Sequence, residues 1–242
     1  MRIDVAFTPG EPPDASVAIV IDVLRATTTI AHALTQGYER VLACSGLDRA
    51  RELRSRLGNG TLLAGERGCV RPEGFDFGNS PREFADGRPH GSTLVLTTTN
   101  GTRAVVAAAE RADTVLVGSL ANLTACAAAA ARTARTAKGD VLIQCAGVNG
   151  EFAIDDAYTA GRFVSELRVW LAEWEPSDAA QAAEAIAASF PSAADGLGAS
   201  ASARNLRAAD LADDVRYCAR EGVLEIVPTV GDVDGDVALI TA

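Results

Sequence analysis

"VAIVIDVLRATTTI", residues 17–30, decides the fold. Its first five residues are apolar without the alternation of a half-solvated strand, so they read as a strand covered on both faces. Strands of that kind belong to largely parallel sheets with helices packed on each side. The run then delivers Asp22, Arg25 and Thr27, Thr28 and Thr29 before a helical pattern begins. In open α/β sheets ligands gather outside the carboxyl ends of the strands. A carboxylate, a guanidinium and a row of hydroxyls at this place therefore mark a candidate site.

The same alternation extends through most of the chain. Strand candidates at 2–7, 17–23, 40–44, 61–66, 93–99, 114–120 and 141–146 are separated by helical patterns near 26–36, 47–57, 102–111, 122–137 and 154–173. The expectation is an α/β fold, with three α/β/α layers and a mostly parallel, mixed sheet, in a single domain spanning residues 1–242. From 176 the sequence becomes Ala-rich and helical, interrupted by Pro191 and Gly196, and 176–222 reads as a helical cover or subdomain. "VLEIVPTVGDVDGDVALITA", from residue 223, reads as two strands around a turn. Asp232, Asp234 and Asp236 imitate the start of a calcium-binding loop, but Gly235 is out of place for one, so an acidic turn is expected.

Composition removes several classes of function. The formal net charge is −10 and no basic stripe stands out, which argues against nucleic-acid binding. No apolar run approaches the roughly 20 residues that span a membrane, and the start lacks the pattern of a signal peptide, so a cytosolic protein is expected. Five cysteines without a C-x-x-C pair indicate neither a disulfide framework nor a zinc ribbon. With only His32 and His90, a His-rich metal site is impossible, and any metal must be held mostly by oxygen, which favours a hard cation such as Mg²⁺. Lys138 is the only lysine, so almost every cation is arginine.

Four strand ends carry polar groups. Besides Asp22 and Arg25, strand 61–66 delivers Glu66 and Arg67, and strand 93–99 delivers Thr97, Thr98 and Thr99, then Asn100, Gly101 and Thr102. Strand 141–146 leads through "GVNGEF" to Asp155 and Asp156. Each has a structural reading: Asp22 paired with Arg25, Glu66 with Arg67, and Asp155 as a helix cap. Converging from separate strands, they suit a hard-metal and oxyanion site better.

"TTTNGT", residues 97–102, places a glycine where a strand turns into a helix, so backbone N–H groups and the helix N-terminus can meet a phosphate or sulfonate. Arginine matches the same oxyanions through its forked donors. The connection from 65 to 91 shows no periodicity and reads as a binding loop folded over the site. Within it "GFDFGNSP" offers Asp76, Asn79 and Ser80 to a ligand. Other phosphate chemistries are excluded. No G-x-x-x-x-G-K-[ST] occurs, and Leu24 stands where a haloacid-dehalogenase phosphatase needs its second Asp. Cys126 and Arg132 have cysteine-phosphatase spacing, but the five residues between them are alanines that make a helix rather than a cradle.

Taken in order, "DVLRATTTI", "GER" with "GFDFGNSP", "TTNGT", "CAG" with "FAIDD", and "LADDVRYCA" leading to "VP" resemble the 2-phosphosulfolactate phosphatase family, from about residue 17 to about residue 228. Members of that family are Mg²⁺-dependent acid phosphatases that release phosphate from 2-phospho-3-sulfolactate. The resemblance implies a three-layer α/β/α fold, a Mg²⁺ ion and a small anionic phosphorylated substrate. On side-chain chemistry, Asp22, Glu66 and Asp155 or Asp156 become the expected Mg²⁺ ligands or bases, and Asp22, Asp156 and Arg25 the expected catalytic groups. Arg25, Arg67, Thr99, Asn100, Gly101 and Thr102 become the expected oxyanion grips, with Asn79 and Ser80 in the covering loop. The acidic pair is Asp-Asp where the family pattern has Glu-Asp, which favours Asp156 over Asp155 as a ligand. Two rivals remain: a phosphatase for another phosphorylated hydroxy acid, and a non-catalytic anion-binding protein. The Ala-rich helices leave room for a homodimer.

Overall fold

The computed structural model describes residues 2–10, 12–85, 93–171 and 173–242. Strands and helices alternate as the sequence leads one to expect: β1 (Arg2–Ala6), β2 (Ala15–Ile21), α1 (Ala26–Thr35), β3 (Arg40–Cys44), α2 (Leu47–Leu57), β4 (Thr61–Gly65), β5 (Thr93–Thr97), α3 (Gly101–Ala109), β6 (Ala112–Gly118), α4 (Leu123–Ala137), β7 (Val141–Cys145) and α5 (Ile154–Trp170). The Ala-rich part follows as β8 (Glu175–Pro176), α6 (Asp178–Ala188), α7 (Ala193–Gly198), α8 (Ala201–Ala208) and α9 (Ala212–Cys218), and then come β9 (Thr229–Asp234) and β10 (Val237–Thr241). Residues 86–92, which hold His90 and the end of the long connection, lie outside the described residues.

The unalternated run of β2 has a simple cause. Val17, Ile19 and Ile21 face a core shared with α4 and α5, whereas Ala18 and Val20 face one shared with α3. Every second residue points the opposite way, and both sides are covered. Each fully buried Val or Ile contributes roughly 1.5–3 kcal/mol. Ala127, Ala130, Ala131 and Ala134 form the buried stripe of α4, whose small side chains let the helix lie close to the sheet. Serines start three of the helices that follow: the side chains of Ser177, Ser192 and Ser200 accept the amides of Ala180, Asp195 and Ala203. Such caps satisfy donors that a helix leaves open in its first turn.

One mixed sheet contains all the described strands, in the order β4-β5-β3-β10-β9-β6-β2-β7-β1-β8. Within β4-β5-β3 and within β6-β2-β7-β1-β8 every pairing is parallel. The hairpin β9–β10 lies between these two parts and pairs antiparallel to each. Its join to β6 is short, with Val230 opposite Val115 and Thr229 opposite Leu116. The three-layer α/β/α expectation is met.

Four strands separate β5 from β2 in strand order, which on a flat sheet would place them about 24 Å apart. Yet the Cα of Gly101, just past β5, lies so close to the end of β2 that a Cβ built on it would stand 2.8 Å from Asp22 Oδ2. The loop 98–100 and α3, which packs its Ala104, Val105 and Ala108 against Ala18 and Val20 of β2, carry the chain across from the end of β5 to the end of β2. No helix among the described residues is long and apolar enough to cross a membrane.

Candidate active site

The carboxyl ends of β2, β4, β5 and β7 surround one cleft, which α8 closes from the side. Asp22, Arg25, Glu66, Cys69, Asn79, Thr98, Thr99, Asn100, Asn149, Ser202 and Asn205 all line it. Its floor is buried, formed by Asp22, Arg25, Asn79 and Thr98, whereas Thr99, Asn149 and Asn205 are exposed at its rim.

Asp22 is held by the turn that follows it. Its backbone N–H donates to Thr27 Oγ1, whose hydroxyl returns a bond to the Asp22 carbonyl, and the Ala26 amide donates to Asp22 Oδ1 at 3.3 Å. Thr28 fastens to the Val23 carbonyl, and Thr29 to the carbonyl of Asn79 in the long loop. The threonines therefore lock backbone and do not line the cleft. Burial, reinforced by the charges of Asp155 and Glu66, pushes the Asp22 carboxyl up to about 7. Burial likewise pushes Asp155 up to about 6, against a hydrogen bond from Ser202.

Several expected residues take other duties. Arg25 does not pair with Asp22: its Nη1 meets Asp214 of α9 at 2.7 Å, with both side chains buried, and its Nη2 donates to the Cys69 carbonyl. Ser80 donates to the other Asp214 oxygen at 2.7 Å, so its hydroxyl is committed to that carboxylate. Arg67 turns away from the cleft and donates to the carbonyls of Glu66 and Ser45 and to Thr97 Oγ1. Thr102 donates to the Cys44 carbonyl on the far side of α3. Asp76 accepts the Leu63 amide at 2.8 Å and faces Arg54 instead of the cleft.

The acidic pair divides in an unexpected way. Both oxygens of Asp156 are bonded to backbone, Oδ1 to the Val23 amide and Oδ2 to the Gly147 amide, which ties the β2–α1 turn to the β7–α5 turn. Asp155 keeps Oδ1 without a partner. The preference for Asp156 over Asp155 as the available carboxylate is therefore reversed. Neither is a helix cap; that position falls to Ala153. Glu66 sits where expected, accepting the Thr99 amide and hydroxyl on Oε1 and the Cys69 amide on Oε2. Asn100 Oδ1 accepts the Asn149 amide, which holds the start of α3 against the β7–α5 turn.

Gly101 begins α3. A Cβ there would stand 2.7 Å from Ala26 Cβ and 2.8 Å from Asp22 Oδ2, so only glycine lets the helix start approach the acid. First-turn amides have no partner within a helix, and at this place they border the cleft. The Gly101→Ala variant is expected to lose ten-fold or more in kcat/KM, with about 1–3 kcal/mol of stability lost to overpacking. Steady-state kinetics beside a denaturant titration check it; an unchanged kcat/KM would show that the close approach is unimportant.

Asn79 Oδ1 and Thr98 Oγ1 are also buried without partners, like Asp155 Oδ1. Among the described residues no three Asp, Glu, His or Cys side chains group tightly enough for a direct three-ligand metal site. Mg²⁺ does not require one, since it keeps several waters and takes only one or two carboxylates. Unneutralised buried acids and orphaned hard oxygens around a single cleft fit such an ion. Arg25 is paired with Asp214, and its charge offsets that of Asp22 only in part.

Sequence reading missed Asp214, Asn149, Ser202 and Asn205. Asp214 stood in the quoted "LADDVRYCA" motif, and its position three residues past Leu211 in an otherwise apolar helix face was the available signal. The α8 residues carried no signal, because a serine and an asparagine in an Ala-rich helix look like solvent-facing positions.

A cleft outside the strand ends of an α/β sheet, with buried acids on its floor and a helix start at one wall, is where enzymes of this fold class place their chemistry. Comparison with known proteins narrows this class. The family described as 2-phosphosulpholactate phosphatase matches residues 6–232. The chain is 41% identical over 233 residues to a probable 2-phosphosulfolactate phosphatase of Thermus thermophilus, covering 95% of this chain and 94% of that one. It is 37% identical over 237 residues to one of Deinococcus radiodurans, covering 98% and 95%. A third, from Thermotoga petrophila, is 35% identical over 229 residues, covering 94% and 95%. The chain belongs to the 2-phosphosulfolactate phosphatase family and is, with it, a phosphoric monoester hydrolase.

Proposed function

We propose that the chain hydrolyses 2-phospho-3-sulfolactate to 3-sulfolactate and inorganic phosphate with the help of Mg²⁺. The names of its relatives support the substrate, and one observation carries the chemistry. A carboxylate raised to about 7 has an oxygen, Asp22 Oδ2, directed at the first turn of α3 in the same cleft. A base near neutrality beside an anion-binding helix start suits attack of water on a phosphate ester.

In this reading the first-turn amides of α3 orient the phosphoryl group, with Thr99 and Asn100 beside them. Glu66 and Asp155 would hold the ion, which neutralises charge on the phosphoryl oxygens when bound. Asp22 takes a proton from water as its oxygen bonds to phosphorus, and the ester P–O bond breaks. The leaving alkoxide takes up the proton that Asp22 received, becoming the hydroxyl of 3-sulfolactate and returning Asp22 to its carboxylate. Asp156 keeps the two turns in register, and Asn79 and Thr98 supply oxygen and amide partners at the floor. Five cysteines without disulfides suit the reducing cytosol as the site of this chemistry.

Phosphate release from 2-phospho-3-sulfolactate, with Mg²⁺ and with excess chelator, tests the proposal. Turnover that the chelator abolishes is expected. Turnover of a different phosphorylated hydroxy acid alone would replace the substrate, and turnover of none by folded protein would leave an anion-binding protein.

A further inference from the structure

The cleft has two unlike ends. Its floor is buried and holds Asp22, the base assigned above to the phosphoryl transfer. Its rim carries neutral donors, and two polar lining residues come from α8, which follows in the chain all the strands that build the floor. Ser202 and Asn205 are three residues apart on one helix, and Leu206 completes the same face. Asn205 is exposed, and its amide has no hydrogen-bond partner among the described residues. Asn149, also exposed, lines the cleft from the β7–α5 turn, where its backbone is fixed by Asn100.

We propose that α8 reads the substrate's sulfonate, with Asn205 as the specificity-determining residue and Asn149 as its helper. The proposal rests on the phosphatase reading and adds to it how the substrate is chosen. In a 2-phosphorylated three-carbon acid the carboxylate shares a carbon with the ester oxygen and stays near the floor. A sulfonate lies one methylene further out, towards the rim. A sulfonate is charged at every physiological pH and is a weak hydrogen-bond acceptor. Neutral amide N–H groups suit it, and they add no positive charge that would compete for the phosphoryl group. Among the cleft residues the cation is Arg25, and Asp214 already holds it. Ser202 plays a different part: it stands beside Asp155 and works against the upward push of burial on that carboxyl.

Asn205→Ala tests the proposal, since alanine is a good helix former and the position is exposed, so the fold survives. The probes are 2-phospho-3-sulfolactate and 2-phospholactate, which lacks only the sulfonate, with calorimetric binding of 3-sulfolactate and lactate as a readout independent of turnover. The expected result is a ten- to hundred-fold loss in kcat/KM on the sulfonate substrate, the effect of removing one hydrogen bond to a charged group. It should appear mainly in KM, with a matching loss of 3-sulfolactate affinity and at least ten-fold less effect on 2-phospholactate. Equal losses on both esters, or none, would overturn the role of α8 while leaving the phosphatase reading intact. Absence of turnover and of 3-sulfolactate binding in the unaltered enzyme would overturn the phosphatase reading, and this proposal with it.

Discussion

Asp22→Asn is expected to lose about 10²–10⁴-fold in kcat, the range for removing a general base, and to gain stability at the same time. The two effects share a cause. Burial and the neighbouring charges of Asp155 and Glu66 hold the Asp22 carboxyl at about 7, well above its ordinary 3.8. A group whose pKa is raised on folding stabilises the native state fully below its unfolded value, and that contribution is lost as pH rises through the folded value. Above pH 7 the metal-free protein therefore carries a buried charge that asparagine removes. The amide oxygen of asparagine can still accept the Ala26 N–H that now bonds Asp22 Oδ1. The expected gain is on the order of 2–4 kcal/mol at pH 8 without metal, shrinking to nothing near pH 4. Urea titrations at both pH values, kinetics, and product binding measure it. Full activity would remove Asp22 from the proton transfer, and loss of product binding together with activity would make it a binding group. A stability gain equal at both pH values would show that charge is not its origin.

Asp214→Asn is expected to cost about 3–5 kcal/mol of stability, because it leaves a buried guanidinium without its counter-ion. Asp214 serves Arg25 on one oxygen and Ser80 on the other, both at 2.7 Å, so one side chain joins α9 to the start of α1 and to the long loop. A double-mutant cycle of Arg25→Gln with Asp214→Asn should give a coupling of at least about 2 kcal/mol. Coupling below about 0.5 kcal/mol would mean that the pair is held by its surroundings and adds little itself.

The fold was legible because β2 and β7 bury both faces, which leaves unbroken apolar runs, and because each run ends where a helical period begins. The place of the β9–β10 hairpin was not, since strand order depends on pairings far apart in sequence and no local pattern encodes them. Of the site, the strand-end residues Asp22, Glu66, Thr99 and Asn100 were legible, because a carboxyl-end position settles where a backbone goes. The direction of a side chain is settled by its neighbours. Arg67 follows Glu66 directly yet points the other way, and Asp155 and Asp156 differ by one step of the helix and so face different partners. The Arg25–Asp214 pair spans 189 residues, beyond any reading of local spacing.

The hairpin β9–β10 also has a bearing on biogenesis. It follows in the chain every strand that it joins, and it lies between the part that carries Asp22 and the part that carries Glu66. While the chain is being synthesised, each parallel part can form its own strands and helices, but the edges of β3 and β6 stay open until residues 229–241 leave the ribosome. Asp22 and Asp155 come from one part, where β2 and β7 pair directly, and the sheet joins them to the part that carries Glu66 only through this hairpin. The last strands to be made are thus the ones that tie the two halves of the cleft into one sheet.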